Sequence, residues 1–396
     1  MTDAIMNTIQ QNPHKVFFPN LGHDNIFTNG ITLDKIMFKI PGTDFAIYWY
    51  GFLIALGLLL AVIYGFRKFR KFGINPDRAT DAIIGGVVGA VIFARIYYVV
   101  FSWSTYVIDG KIDWAAIFSI RDGGLAIYGG LIGALLTAGV IARWRKIKLL
   151  PLFDIAAMGF LIGQAIGRWG NFMNMEAYGA PTNLPWGMTS ANIMADLGRQ
   201  FPGLEQSALL AHPTFLYESL WCILGFVLLS IYMKHRKFDG EIFFMYLGWY
   251  GFGRMLIEGL RTDSLYVSGT GIRVSQVLAA CCVAASLIII LTIRLRIKRN
   301  GGYKFFYETE DSIKQIEEYD NSLKKSKSKA KVDMAKEIDN AFDEPAEKKK
   351  EVLDDDEVDM KQLSEDAEHN DADAAAEAFS DDIDTDGDGD TDDVNS

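Results

Sequence analysis

The sequence has few cysteines, and they form no pattern. Three occur in 396 residues, Cys222, Cys281 and Cys282, and each lies inside a long apolar run. In such a run a cysteine acts as a small apolar residue. This placement excludes a disulfide framework and a cysteine-based zinc site. Since there is also no metal-ligand cluster and no nucleotide-binding loop, we predict a protein without a cofactor or a metal.

The N-terminus has no basic region followed by a short apolar core and a cleavage site. We therefore expect no removable signal peptide.

Acidic residues are scarce before residue 300 and dense after it. Residues 1–300 hold 27 Lys and Arg against 18 Asp and Glu, whereas residues 301–396 hold 12 against 32. The two parts thus carry net charges of +9 and −20. Low hydrophobicity with dense charge does not support a core, so we predict that residues 300–396 form a disordered cytoplasmic tail.

One segment of this tail resembles a calcium loop. Acidic residues alternate from Asp384 to Asp392 and are interspersed with Gly387 and Gly389. However, Asn395 occupies the position of the bidentate carboxylate, and no helices flank the segment. A solvated acidic tail is therefore the favoured interpretation.

Long apolar runs dominate the first 300 residues. Runs of roughly 17 to 25 residues have the length that crosses a bilayer as a helix. They predict an all-α polytopic membrane protein with seven transmembrane helices, at residues 46–66, 81–101, 123–142, 151–167, 214–233, 242–258 and 272–293. We divide the chain into an extracytoplasmic segment of turns and irregular structure (1–45), a seven-helix membrane domain (46–299) and the tail (300–396).

Basic residues predict the orientation of these helices. Lys and Arg in short loops stay on the cytoplasmic side, and they cluster after spans one, three, five and seven. The N-terminus is then outside, the C-terminus is cytoplasmic, and residues 167–179 lie at the outer face.

Glycines at a spacing of four predict tight helix packing in two spans. They are Gly85 and Gly89 in span two, and Gly159, Gly163 and Gly167 in span four. Such a spacing puts small residues on one face, where two helices can approach closely.

Residues 167–179 interrupt the apolar pattern with polar side chains. Arg168 offers a planar fork of donors suited to two phosphate oxygens, beside the hydrogen-bonding groups of Asn171, Asn174 and Glu176. The alternative is a helix C-terminus whose carbonyls Arg168 caps.

Span six carries a second polar stripe. Tyr250, Arg254, Glu258 and Arg261 are spaced four, four and three, which places them along one helical face. The alternative is a structural Arg254–Glu258 pair. Two arginines at the level of the lipid headgroups favour a phospholipid phosphate as their ligand.

Three further residues enter the membrane from the outer side. Tyr50 and Tyr128 begin spans one and three, and His212 precedes span five. The two tyrosines are either pocket residues or interfacial aromatics. His212 either starts a helix or shapes the mouth of the pocket.

These motifs resemble a known family, the bacterial prolipoprotein diacylglyceryl transferases. Residues 167–179 fit every fixed position of the family signature Gly-Arg-x-Gly-Asn-Phe-x-Asn-x-Glu-x-x-Gly, which ends at Gly179. Residues 49–51, 129–133 and 212–218 and the stripe of span six match as well. The resemblance covers roughly residues 40 to 300.

The resemblance implies a function. The family moves the diacylglyceryl group of phosphatidylglycerol to the lipobox cysteine thiol of a preprolipoprotein signal peptide and releases glycerol phosphate at the outer face of the bacterial cell membrane. The implied partners are these two substrates and membrane lipids, without nucleic acid. The implied catalytic residues are Arg168, Arg254, Glu258, Tyr128, Asn171 and Glu176, and the implied substrate-binding residues are Arg168, Tyr50, Tyr250, Arg261, Asn174, His212 and Gly179.

One position departs from the family. Some members have a histidine at the position of Tyr128, and that histidine has been assigned as the base. An unperturbed tyrosine, with a pKa of about 10, is a poorer base at neutral pH than histidine at about 6.5.

Our sequence hypothesis is that Arg168 and Arg254 hold the lipid phosphate, oriented by Glu176 and Glu258. A transporter, an intramembrane serine protease and a non-catalytic lipid-binding protein are the alternatives. Internal repeats typical of transporters are absent from the sequence, and Ser219 and Ser230 have no evident histidine partner.

Overall fold

The computed structural model describes residues 3–22, 24–43, 45–108, 111–119, 123–205, 208–262 and 273–342, with the backbone alone at 3–6, 108 and 338–342. The chain divides into two units, Met1–Asn321 and Ser322–Ser396. The first contains the helical bundle, and the described part of the second is helical.

The described residues are mostly helical. The helices are α1 (Asp3–Gln11), α2 (Trp49–Phe69), α3 (Pro76–Phe101), α4 (Trp114–Phe118), α5 (Ile127–Trp144), α6 (Leu149–Asn174), α7 (Ala191–Gln200), α8 (Thr214–Tyr232), α9 (Glu241–Glu258), α10 (Val274–Asn300) and α11 (Glu310–Phe342). Three antiparallel strand pairs accompany them: β1 (Lys15–Val16) with β2 (Ile31–Thr32), β3 (Ile36–Lys39) with β4 (Ala46–Tyr48), and β5 (Val107–Ile108) with β6 (Lys111–Ile112).

Six of the described helical segments are long and apolar enough to cross a membrane. They are Trp49–Phe72, Pro76–Phe101, Ile127–Trp144, Leu149–Asn174, Thr214–His235 and Val274–Asn300. Helix α9 has 18 residues but carries the charges of Glu241, Arg254 and Glu258. The structure therefore fits the predicted all-α polytopic membrane protein, and the seventh crossing and the orientation stay predictions.

Helix α6 lies at the centre of the bundle, in contact with α2, α8 and α9, while α3 pairs with α5 and α9 with α10. Glycines bring these pairs together. A Cβ added at Gly57 would lie 3.2 Å from Cα of Gly163, and one at Gly89 would lie 2.2 Å from Oγ1 of Thr137. The predicted packing role is confirmed at Gly85, Gly89 and Gly159, and at Gly163 through its close approach to Gly57. At Gly167 no described atom lies within 4 Å of an added Cβ.

The fourth span is longer than predicted. We expected it to end at Gly167, but α6 continues to Asn174. The next residue, Met175, caps the helix with a left-handed φ of 53°. Tertiary packing explains the extension, because Phe172 is buried and stacks on Phe215 of α8 at 4.5 Å between ring centroids. This burial outweighs the low helix propensity of glycine and asparagine.

The N-terminal segment is more ordered than the turns and irregular surface that we predicted. It forms α1 and two hairpins, and Ile9, Val16 and Phe17 are buried against Ile193 of α7 and other apolar side chains. The same cluster includes Phe172. Apolar side chains of residues 9–18 and 31–33 thus pack over the C-terminal end of α6.

The structure also differs from the predicted disorder after residue 300. Residues 306–308 form a 3-10 turn and residues 310–342 form α11. Phe306 is 5% exposed and packs in the main core with Phe72 and Ile147. Residues after 342, including the alternating run Asp384–Asp392, lie outside the described residues.

Candidate active site

A single carboxylate joins three arginines at the end of the bundle where α6 stops. Glu218 of α8 accepts from Arg168 of α6 at 2.7 Å, from Arg254 of α9 at 3.2 Å and from Arg261 at 3.3 Å. The two arginines predicted to act together therefore do lie together, held by a glutamate from a third helix.

A second carboxylate fixes Arg254 from its other side. Glu258 lies one turn further along α9, and its Oε2 is 2.7 Å from Nη2 of Arg254. Arg273 donates to the backbone carbonyls of Glu258 and Arg261. The predicted stripe of span six is thus one wall of the site, although Arg261 itself follows the end of α9.

Glu176 lies next to the cluster but acts on Arg168 indirectly. It accepts from Nδ2 of Asn171 at 2.9 Å and from Nδ2 of Asn174 at 3.4 Å, while Oδ1 of Asn171 faces Nη1 of Arg168 at 3.5 Å. The residues on either side of Glu176, Met175 and Ala177, have φ values of 53° and 56°. Left-handed non-glycine residues cost roughly 1–3 kcal/mol each and occur where surrounding contacts impose them, often at functional sites.

The carboxylates of the cluster are buried, while two of its arginines keep some solvent contact. The side chains of Glu218 and Glu258 are 6% and 3% exposed, and those of Arg168 and Arg254 are 22% and 23% exposed. The N–H donors of Arg168 and Arg254 that the glutamates do not use can therefore reach an anionic ligand.

Two cavities adjoin the arginines. One, of about 10 Å³, is lined by Tyr250, Glu218 and Arg254 and has room for roughly one water molecule. The other is an apolar groove of about 420 Å³ between α2 and α6, which extends to Gln164. Gln164 lies one helical turn before Arg168, so the groove ends close to the cluster.

A sequence model of the family described as "Prolipoprotein diacylglyceryl transferase" matches residues 35–292, which include every residue of the arginine cluster.

The chain belongs to the prolipoprotein diacylglyceryl transferase family.

Curated bacterial proteins agree with this assignment. The chain is 41% identical over 258 residues to the phosphatidylglycerol–prolipoprotein diacylglyceryl transferase of Finegoldia magna. The aligned residues cover 65% of this chain and 94% of that protein. It is 40% identical over 286 residues to the protein of that name from Enterococcus faecalis, with coverages of 72% and 97%. For Bacillus cereus the identity is 42% over 262 residues, with coverages of 66% and 93%. The chain is thus a member of a transferase family.

Tyr50 and Tyr250, the aromatic residues taken from the family resemblance, lie next to the cluster. The ring of Tyr50 packs over Gly170 of α6, where an added Cβ would lie 2.8 Å from Cδ2 of the tyrosine. Tyr250 lines the small cavity and stacks on Tyr246 at 5.9 Å.

The last residue of the family signature ties three segments together. The amide of Gly179 donates to the carbonyl of His212 at 2.9 Å, and Gly179 bridges to Arg261. A Cβ at Gly179 would lie 2.7 Å from both Cβ of His212 and the carbonyl oxygen of Leu260. Only glycine fits this crossing without displacing its neighbours.

His212 takes part in a hydrogen-bond chain at the start of α8. Its Nδ1 lies 3.2 Å from the hydroxyl of Tyr217, which accepts from the indole of Trp186 at 2.6 Å. Burial lowers the pKa of His212 below its ordinary value of 6.5. The ring is therefore neutral at pH 7 and suits a role in shaping the site better than one as a cation.

Tyr128 is placed apart from the arginines. It lies in the first turn of α5, is 66% exposed, and belongs to a helix that packs against α3. Among the described residues, no hydrogen bond links it to the cluster. Its hydroxyl is accessible to a substrate.

Sequence reasoning missed the roles of Glu218 and Arg273. Glu218 ends the run 212–218 that matches the family, and no role was predicted for it. A glutamate inside the apolar run of span five was the available signal, because intramembrane charges pair and mark functional sites. No sequence spacing shows that its partners come from three other segments.

Proposed function

We propose that this chain transfers the diacylglyceryl group of phosphatidylglycerol to the lipobox cysteine thiol of preprolipoproteins and releases glycerol phosphate. The observation that carries the proposal is the junction of Arg168 and Arg254 through Glu218, which brings their two guanidinium groups together. Family membership and the names of the curated relatives support the same reaction.

The phosphate of the donor lipid binds to the arginine cluster. Glu218 and Glu258 fix the planes of the guanidinium groups of Arg168 and Arg254 but do not use all of their five N–H donors. The remaining donors suit bidentate contacts with phosphate oxygens. A phosphodiester carries one negative charge, and arginine binds such a group through charge-assisted hydrogen bonds.

The acyl chains extend away from the cluster into the apolar groove between α2 and α6. This groove is lined by glycine, alanine, aliphatic and phenylalanine side chains, and it ends at Gln164, one turn before Arg168. A lipid with its phosphate at Arg168 thereby places its hydrocarbon where apolar contact is favourable.

The chemical step forms one bond and breaks one. The thiolate sulfur attacks the glycerol carbon that bears the phosphate; a C–S bond forms, the C–O bond breaks, and its electron pair stays on the phosphate oxygen. The phosphodiester becomes a monoester and gains negative charge. Arginines that are already oriented stabilise this developing charge more than the ground state, which lowers the barrier.

The thiol, with an ordinary pKa of about 8.5, must also lose its proton. We place the exposed hydroxyl of Tyr128 at the reacting centre as a hydrogen-bonding group for the incoming substrate. We assign this hydroxyl a positioning role.

The proposed membrane arrangement has seven crossings, with α9 as the sixth, the N-terminus outside and residues 300–396 cytoplasmic, in the bacterial cell membrane. The basic last turns of α2, α5 and α10 support it, with Arg67, Arg143 and Arg299 among them. The arginine cluster is then at the outer face. A cysteine introduced at position 144 must be unreactive to an impermeant reagent in intact cells; labelling from outside would reverse the arrangement.

A purified transfer assay tests the reaction. The full chain is incubated with phosphatidylglycerol labelled in its acyl chains and with a lipobox peptide, and label on the peptide is measured. Arg168→Ala and Arg254→Ala are expected to abolish transfer, whereas Arg299→Ala, at the other end of the bundle, is expected to leave it unchanged. Near-normal turnover by either cluster variant refutes the phosphate-binding role, and an unlabelled peptide with the unmodified chain refutes the transfer function.

A further inference from the structure

A second charged site lies at the opposite end of the bundle from the arginine cluster. Here a cavity of about 970 Å³, named the basic pocket below, opens between the first turns of α3 and α6, the last turn of α5 and the segment before and within α11. Its lining includes Lys304, Lys314 and Gln315. These three residues lie beyond residue 292, where the match to the family ends.

The basic pocket has more positive than negative charge. Among the described residues, five of its cations contact no carboxylate, and they are Arg143, Lys146, Lys148, Lys304 and Lys314.

The acidic groups of the basic pocket are mostly engaged elsewhere. Glu318 pairs with Arg78 at 2.7 Å. Asp239, which is 3% exposed, accepts from the amide of Phe306 at 2.8 Å and lies 3.5 Å from Arg236. Asp311 is thus the remaining carboxylate that faces the five cations, so the pocket keeps a large excess of positive charge.

Two further features supply polar groups for a ligand. Helix α6 begins at Leu149 without a side-chain cap, so the amides of its first turn point toward the pocket region with no side-chain acceptor. A helix N-terminus attracts anions. Gln315 is 7% exposed and donates to the carbonyl of Lys146 at 3.3 Å, but its Oε1 is buried without a hydrogen-bond partner in the described part of the chain.

The position of the pocket identifies the class of anion. It lies where apolar helices end, at the level of lipid headgroups, and exposed Leu149 and Leu150 of α6 form part of its wall. A soluble phosphate would gain nothing from these side chains, whereas a phospholipid places its hydrocarbon beside them. Basic pockets at helix ends on the cytoplasmic side attract anionic headgroups.

We propose that the basic pocket binds the headgroup phosphate of an anionic phospholipid, and that this lipid joins residues 303–318 to the ends of α3, α5 and α6. Lys148 and Lys314 come from the two sides of the pocket, so the lipid phosphate bridges the family domain and the C-terminal extension. Gln315 Oε1 accepts a hydrogen bond from a hydroxyl or ammonium group of the headgroup.

The test uses the full chain in neutral detergent with phosphatidylserine or phosphatidylcholine added. Phosphatidylserine is anionic but is not the proposed acyl donor, so the result is independent of the transfer reaction. Retained lipids are counted by native mass spectrometry, and thermal stability is measured with each lipid. The unmodified chain is expected to retain phosphatidylserine in preference to phosphatidylcholine and to be stabilised by it.

The pocket variant is Lys148→Gln/Lys314→Gln, and the matched control is Arg296→Gln/Arg299→Gln, which removes the same charge from the exposed end of α10. The pocket variant is expected to bind phosphatidylserine at least about tenfold more weakly, because each basic residue near a membrane surface contributes substantially to anionic-lipid affinity. The control is expected to keep the preference of the unmodified chain.

Three results overturn the proposal. The first is an equal loss of phosphatidylserine binding in the pocket variant and in the control. The second is stabilisation of the chain by inorganic phosphate alone to the same extent as by phosphatidylserine. The third is the absence of any preference of the unmodified chain for phosphatidylserine over phosphatidylcholine.

Discussion

Substitution of Glu218 by glutamine tests whether one carboxylate positions the arginine cluster. The change keeps the size of the side chain and one acceptor oxygen but removes the charge that Arg168, Arg254 and Arg261 share within 3.3 Å. Loss of one partner from a buried ion pair costs about 3–5 kcal/mol. The lower end applies here, because Arg254 keeps Glu258 and both Arg168 and Arg254 retain some solvent contact.

A loss of about 3 kcal/mol has two measurable consequences. Applied to the transition state, it corresponds to a fall in rate of roughly 150-fold. Applied to folding, it lowers the Tm by about 6 °C or more. We expect the fall in kcat with no rise in the KM for phosphatidylglycerol, since the added positive charge still attracts the phosphate while the guanidinium groups lose their fixed orientation.

The assay is lipid transfer to a lipobox peptide at several phosphatidylglycerol concentrations, with thermal unfolding in the same detergent. Glu317→Gln, at an exposed position on α11, is the control and is expected to match the unmodified chain. The positioning role is refuted if Glu218→Gln keeps kcat within about threefold and an unchanged Tm.

Four further predictions follow from the same geometry. Arg168→Lys keeps the charge but not the fork of donors, so transfer is expected to fall at least tenfold; full activity contradicts bidentate binding. Tyr128→Phe is expected to slow transfer, and an unchanged rate excludes any role for the hydroxyl. Burial lowers the pKa of His212, so as the pH falls below about 6.5 the imidazole takes up a proton in the unfolded chain before it does so in the folded chain. The folded state therefore loses stability as the pH falls. Thermal unfolding measured between pH 7.5 and 5.5 is expected to depend less on pH in His212→Asn than in the unmodified chain. Gly89→Ala introduces a Cβ 2.2 Å from a threonine hydroxyl of α5 and is expected to cost about 1–3 kcal/mol, whereas Gly139→Ala, with no described atom within 4 Å of its Cβ, is expected to be neutral in the same unfolding assay.

Local sequence patterns predicted the parts of this structure that depend on neighbours along the chain. Apolar runs located the six helices long enough to cross a membrane, and the four-residue spacing of Arg254 and Glu258 predicted their contact on α9. The first signal is the length of an apolar run and the second is helical periodicity, and tertiary structure leaves both intact.

Features that depend on distant segments were not predicted. The polar residues after Gly167 suggested the end of a helix, but the stacking of Phe172 on Phe215 extends α6 to Asn174. The bridge from Glu218 to arginines 36 and 50 residues away along the chain depends on how α6, α8 and α9 pack. Charge density predicted disorder after residue 300, whereas the burial of Phe306 orders the first part of that region.

The most direct test of the central claim separates the two halves of the donor lipid. Phosphatidylglycerol is labelled with one isotope in its acyl chains and another in its terminal glycerol, and the purified chain is given this lipid with a lipobox peptide or with the same peptide carrying serine for cysteine. We expect acyl label on the cysteine peptide and an equal amount of released glycerol phosphate. Neither product is expected from the serine peptide or from Arg254→Ala. Release of glycerol phosphate without labelled peptide, or equal labelling by Arg254→Ala, would contradict the central claim.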